Sequence, residues 1–173
     1  MIQGLKQFVP SEICLSCDAC CRFKESKSPW RPKITKEEID GMKNPDLLSV
    51  IYSKEKIEKS GHIKTKKCGD NHHLCSFFAP ETNACTIYEL RPFECQLYPF
   101  VLTKVKNEVA VVVHHHCPFV QENRNTSEFQ KYAEYLQQFF RREDTLQFIK
   151  RNPSLAGEYP AYEGELEYLF TVC

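Results

Sequence analysis

The sequence predicts an α+β fold in which short hairpins and cysteine-bearing loops are followed by a C-terminal helical segment. Three observations carry that prediction. Apolar runs such as "LCSFF" and "CTIY" are brief and bounded by turn-forming residues, the punctuation of short strands. Residues 128–143 instead repeat their apolar positions at helical spacing. All the cysteines but Cys173 fall ahead of that helical region. With 173 residues, no internal repeat and no clear linker, the chain reads as one domain, 1–173, ending in a helical extension over about 126–173.

Residues 1–13 read as an extended lead-in and Cys14–Arg22 as a tight turn or short helix. If helical, Cys14, Cys17, Cys20 and Cys21 share one stripe, since spacings of three, six and seven fall on one face. "WRPKIT" reads as a short strand. Thr35 then opens a helix, and Glu38 completes a capping box across "TKEE". Residues 46–60 read as a further helix between Pro45 and Gly61. Residues 62–88 read as a short hairpin carrying Cys75 and Cys85 around "PETN". "ELRPFECQL" suits one or two helical turns, with Pro92 tolerated near their start. "FVLTKVKNEVAVVVHH" reads as a second hairpin, turning near Asn107–Glu108. Ser127, with Gln130, is placed to cap the helix over "EFQKYAEYLQQFFRRE". Its Phe129, Tyr132, Ala133, Leu136, Phe139 and Phe140 form a stripe suited to core packing. "DTLQFIKR" reads as a last short helix ending at Pro153, and the tail beyond it is weakly determined.

Composition narrows the function. Lys+Arg and Asp+Glu both number 23, so the chain has no overall attraction to nucleic acid or anionic lipid. No stretch approaches the ~18 consecutive apolar residues of a membrane span. "MIQGLKQFVPSEIC" has no basic n-region, long apolar h-region or small-residue cleavage site. These readings predict a cytoplasmic protein that binds neither nucleic acid nor membrane. There is no G-x-G-x-x-G, P-loop or H-E-x-x-H, so no self-contained conventional enzyme is legible.

Ten cysteines is the outlying count. In a reducing cytosol thiols stay free unless something binds them, which favours metal over disulfides and predicts a small metal-organised domain. "CLSCDACC" puts four thiols into eight residues. The spacing C-x2-C lets two thiolates grip one metal from a tight turn. The longer C-x2-C-x2-C is the wrap that bacterial-type ferredoxins use for a [4Fe–4S] cube, whose remote fourth cysteine precedes proline, as Cys117 precedes Pro118. The run then departs from that template, because Cys21 follows directly, and no second C-x2-C knuckle of a zinc ribbon follows. Cys75, Cys85, Cys95 and Cys117 stand alone, as ligands delivered one at a time by the fold. Cys14, Cys17 and Cys20 are expected to share a metal with Cys117 as fourth ligand. Cys21, Cys75, Cys85 and Cys95 form a second site or supply alternative ligands. The expected cofactor is an iron–sulfur cluster (4Fe–4S) or zinc, the cluster being preferred, since thiolate ligation suits both.

"CLSCDACC" followed by "PW", "TKEEI", "CSFF", "CTIYELRPFECQLYPF" and a late "CP" resembles the cysteine-cluster proteins of the YkgJ type, described as carrying a zinc- or iron-chelating domain with a CxxCxxCC signature. The resemblance covers about residues 8–118, in order, and implies metal binding by Cys14, Cys17, Cys20, Cys21, Cys75, Cys85, Cys95 and Cys117. A similar cluster occurs in the flagellin lysine N-methylase branch, which implies a place beside protein modification. Asp18-Ala19 stand where that family usually carries a glycine, and Cys117-Pro118-Phe119 stands for Cys-Pro-Gly; neither change removes a thiol.

Other residues have plainer readings. Cys68 and Cys173 lie outside the pattern, as small buried hydrophobes or idle thiols. Of His114-His115-His116 at most two can face Cys117 from a strand, and a strand end beside the site is the simpler account. His72 and His73 read as surface histidines, and Lys64 to Lys67 as a solvated face. Arg91 either offsets thiolate charge or pins its loop to a carboxylate, the second slightly favoured. Trp30, Tyr88 and Tyr98 read as walls of the site. Three functions remain open: an iron–sulfur redox module with an unidentified protein or redox partner, a zinc-stabilised protein-interaction module, and a zinc- or iron-handling protein. The first is preferred.

Overall fold

Two- and four-residue strands persist only where a neighbour completes their hydrogen bonds, and the named strand pairs here are all antiparallel. The computed structural model describes residues 2, 4–42, 61–70, 72–159 and 164–173. Over these the fold is α+β, and two compact units divide it: Val9–Cys95, and Ile2–Phe8 together with Gln96–Cys173. The helix expected over 46–60 lies outside the described residues.

In the first unit the extended lead-in stops at Pro10, and α1 (Ser11–Leu15) begins three residues earlier than expected at its cysteine-bearing turn. Helix does not continue through the cysteines. The Asp18 carbonyl accepts the Cys21 N–H at 2.9 Å, closing a tighter 3-10 turn over Ala19–Cys21, and the chain leaves it as β1 (Arg22–Phe23). Arg22 donates to the Asp18 carboxylate across that turn. The four thiols therefore lie on a helix end, a bend and a 3-10 turn, not on one helical stripe.

The strand in "WRPKIT" is β2 (Lys33–Ile34), paired with β3 (Gly61–His62). The capping box is formed in full around α2 (Lys36–Gly41): Glu38 N–H donates to Thr35 Oγ1 at 3.2 Å, and Thr35 N–H donates to Glu38 Oε2 at 2.7 Å. Residues 62–88 form two hairpins where one was expected. β4 (Thr65–Cys68) pairs with β5 (His72–Cys75), which also pairs with β1, while β6 (Phe78–Ala79) pairs with β7 (Ala84–Cys85). Cys75 and Cys85 thus belong to different hairpins. Gly69, at φ +65°, supplies the left-handed conformation for the first reversal, and Asn83, at φ +50°, does so within "PETN". A 3-10 turn over Tyr88–Leu90 leads through Pro92 into α3 (Phe93–Leu97). The core of this unit gathers Phe23, Ile34, Ile39, Ile63, Leu74 and Phe78, with Cys75 among them and Cys21, Cys68, Cys85 and Trp30 packed against it.

The second unit is a three-stranded antiparallel sheet with helices. β8 (Phe100–Val105) turns through Lys106–Asn107, one residue ahead of the expected turn, into β9 (Glu108–His114). β9 reads "VAVVV" because it is the central strand, buried from Ala110 to His114. β10 (Leu166–Thr171) is a strand the sequence left undecided. On the β8 side, Gly157 donates to the Leu102 carbonyl and accepts from the Lys104 N–H. A Cβ at Gly157 would lie 2.5 Å from the Tyr159 ring, so a larger residue there would have to displace that ring.

The helices of this unit are α4 (Pro118–Asn123), α5 (Ser127–Arg141) and α6 (Glu143–Arg151). The cap of α5 is Thr126, not Ser127: Thr126 is extended and its hydroxyl accepts the Phe129 N–H at 3.2 Å. Thr126→Ala is expected to cost about 1 kcal/mol in urea unfolding, and Ser127→Ala a few tenths. Phe129, Leu136, Phe139 and Phe140 of the stripe are buried. Tyr132 and Tyr135 donate to the carbonyls of Lys6 and Gly4, and Phe8 meets Phe100, Phe119 and Phe129 edge-on. This is how residues 2–8 join the second unit. Among the described residues no helix is long and apolar enough to cross a membrane.

Candidate metal centre

Seven of the eight cysteines singled out by pattern lie in the first unit. Cys14 is carried by α1, Cys17 by the bend after it, and Cys20 and Cys21 by the 3-10 turn. Cys75 ends β5, Cys85 ends β7 opposite Phe78, and Cys95 sits in α3. All ten cysteines are among the described residues, and none of them is in a disulfide.

Buried Glu38 and half-buried Glu94 hold α3, and with it Cys95. Glu38, the capping-box residue, also accepts the Phe93 N–H through Oε1, so one carboxylate closes the starts of both α2 and α3. Glu94 accepts from the Lys33 backbone N–H and pairs with Lys33 Nζ at 3.3 Å. Burial raises the Glu94 carboxyl above the usual carboxylate range, and the Lys33 charge works against that rise.

The thiols are close enough to act on one another electrically. The Cys20 charge bears on Cys14, Cys21, Cys75, Cys85 and Cys95, so these thiols lie near enough to Cys20 to feel it. The Cys21 thiol donates a hydrogen bond to the Cys20 sulfur; that bond lowers Cys20 and, together with burial, raises Cys21. Burial pushes Cys75 up to about 11, lifts Cys95 well above the ordinary thiol range and raises Cys14 and Cys85 as well. Most of this group therefore resists ionising near neutral pH unless a positive charge arrives to replace the protons. A metal ion supplies that charge and deprotonates a coordinating thiol outright.

The donor set fits such a group. Several soft sulfurs gathered in one unit suit zinc or iron–sulfur chemistry, not magnesium or calcium. Among the described residues no three His, Cys, Asp or Glu side chains already stand in coordination geometry, so the fold supplies gathered thiols and not a finished polyhedron.

Arg91 enters this group from between Cys85 and Cys95. Its Nη1 donates to Cys14 Sγ at 3.8 Å, its Nε donates to the Tyr88 carbonyl at 2.7 Å, and its guanidinium lies 3.6 Å from the centre of the Tyr88 ring. The Tyr88 side chain also donates to Cys14. The arginine's charge pulls Cys14, Cys20 and Cys85 downward against burial.

Cys117 is in the second unit, buried, at the N-cap of α4. The histidines before it have partners in that unit. His114 Nδ1 meets the Tyr98 hydroxyl at 3.3 Å and its Nε2 meets Glu165 at 3.2 Å, while His115 pairs with Glu167 at 3.1 Å and His116 stacks on His114. Cys68 lies outside the cysteine pattern, yet it packs against the same core as Cys21 and Cys85, and Arg22 donates to its sulfur. "GD" directly after Cys68 was the available signal, since it marks the turn that sets Cys68 and Cys75 on paired strands. Cys173 is exposed.

A family model described as "CxxCxxCC: Putative zinc- or iron-chelating domain" matches residues 13–118. No curated protein and no solved structure matches the chain.

Proposed function

Because this chain belongs to the CxxCxxCC family of zinc- or iron-chelating domains, we propose that it is a cytoplasmic iron–sulfur protein, a redox module that works beside a protein partner, in the setting of protein modification. The observation that carries this reading is the convergence of Cys14, Cys21, Cys75, Cys85 and Cys95 on Cys20. A [4Fe–4S] cluster takes four thiolates: Cys14, Cys17 and Cys20 would share it, Cys21, Cys75, Cys85 and Cys95 would supply alternative ligands or a second site, and Cys117 stays in the proposed ligand set on sequence grounds. A bound [4Fe–4S] group supplies one-electron chemistry. The chain's own residues supply the thiolates, an apolar wall from Trp30, Phe77 and Phe78 that limits water, and N–H···S bonding from Arg91.

Zinc is the second reading, favoured by one feature. Cys20, Cys21, Cys75 and Cys95 all act on one another, and four thiolates are what a closed structural zinc takes. The deciding measurement is iron, zinc and acid-labile sulfide per chain, on protein purified without oxygen and without a metal-affinity tag. Brown protein with iron and matching sulfide is the expected result. Zinc without sulfide would replace the redox module by a zinc-stabilised interaction module, and neither metal would sink both.

A further inference from the structure

Arg91 is held more firmly than a solvated arginine. The 3-10 turn over Tyr88–Leu90 delivers it, and Pro92 after it favours the extended backbone it adopts, at φ −56° and ψ 140°. Stacking on the Tyr88 ring sets the plane of the guanidinium, and the Nε bond to the Tyr88 carbonyl sets its rotation within that plane. With both fixed, Nη1 is left facing Cys14 Sγ, on a sulfur 77 residues away in sequence. The same charge also bears on Cys20 and Cys85.

Four thiolates around a zinc ion or a [4Fe–4S]2+ core carry about two negative charges in excess. In a partly buried site that excess weakens the hold on the metal, because each added thiolate is repelled by the others. A cation fixed within hydrogen-bond reach of one sulfur offsets about half of it, and its N–H draws electron density from that sulfur. We propose that Arg91 is the positioning residue of the metal centre, a cation pinned on Tyr88 that holds the Cys14 thiolate in place and retains the bound metal. This rests on the metal-centre reading above and extends it to the group that balances its charge. Lysine is no equivalent, since a compact ammonium keeps the charge and loses the planar stack and the fork.

The test is the rate at which bound metal, iron or zinc, passes to a chelator in excess, for the wild-type chain and for Arg91→Lys, Arg91→Gln and Arg91→Met. Removing a partner of this kind commonly costs 10–100-fold in metal affinity. Arg91→Gln and Arg91→Met are therefore expected to release metal roughly 10–100-fold faster, with Arg91→Lys between them and wild type. Should Arg91→Met fail to fold, the comparison of Lys with Gln decides by itself, because those side chains separate charge from hydrogen bonding. Equal release rates in metal-loaded wild type and Arg91→Gln would overturn the inference and leave the metal centre standing. So would Lys releasing as fast as Met while all three variants lose the same thermal stability, the mark of a merely structural pin. A chain that holds neither iron nor zinc would remove the metal centre and this inference with it.

Discussion

Cys20→Ala is expected to strip the protein of its metal while leaving its secondary structure in place. Cys20 is the one thiol whose charge reaches Cys14, Cys21, Cys75, Cys85 and Cys95. Binding of a structural metal by four thiolates is worth roughly 10–16 kcal/mol, so one thiolate is worth about 3 kcal/mol, on the order of a hundredfold in affinity. Metal per chain after desalting should fall below about a tenth of wild type. Cys173→Ala, which removes an exposed thiol, should retain wild-type metal. Retention of full metal by Cys20→Ala would mean that the gathering of thiols around Cys20 is not the binding site. Cys117→Ala, measured in the same way, tests the fourth ligand expected from the sequence: loss of metal would assign it, and full retention would leave closure to Cys21, Cys75, Cys85 and Cys95.

Glu38→Ala should act in the opposite order, on folding before metal. The carboxylate accepts from Thr35 N–H, Thr35 Oγ and Phe93 N–H, and the side chain is only 4 % exposed. A hydrogen bond to a charged group is worth about 1.5–3 kcal/mol, and a buried donor left without its acceptor costs about 1–3 kcal/mol. Allowing for relaxation, Glu38→Ala should lower stability by roughly 3–5 kcal/mol, a large share of the ~5–15 kcal/mol that holds a small domain together. Glu38→Gln, which keeps a side-chain oxygen as acceptor, should lose less. Urea unfolding followed by circular dichroism reads both. A loss under about 1 kcal/mol for Glu38→Ala would show that the shared cap contributes little. Metal loading should fall in proportion to unfolded chain, because the Phe93–Leu97 helix that Glu38 starts is the one bearing Cys95.

How much of this was legible depends on sequence distance. The capping box at Thr35 and Glu38 could be read directly, because its donors and acceptors lie three residues apart and depend on nothing else. The Phe100–Val105 and Glu108–His114 hairpin was legible for a similar reason, since its two strands are joined by two residues. The strand Leu166–Thr171 was not, because its partner, Ala110–His114, lies far earlier in the chain and its own composition, "LEYLFT", has no strict alternation. The one-residue error at the Thr126 cap has another cause: threonine and serine are both good caps, and only the extended backbone at Thr126 selects it.

The amino-acid sequence by itself determined the kind of chemistry. Ten thiols, four of them in "CLSCDACC", define a soft-metal donor set whatever the fold, because affinity for zinc or iron–sulfur groups resides in the sulfur itself. The family membership over residues 13–118 follows from the same residues in the same order. Only the tertiary structure decided which groups meet. Arg91 reaches Cys14 across 77 residues, Glu38 reaches Phe93 across 55, and separate hairpins bring Cys75 and Cys85 within reach of the Cys20 charge. Charge and hydrogen bonding act through space over a few ångströms, and the chain brings such distant positions together only through the packing of its core.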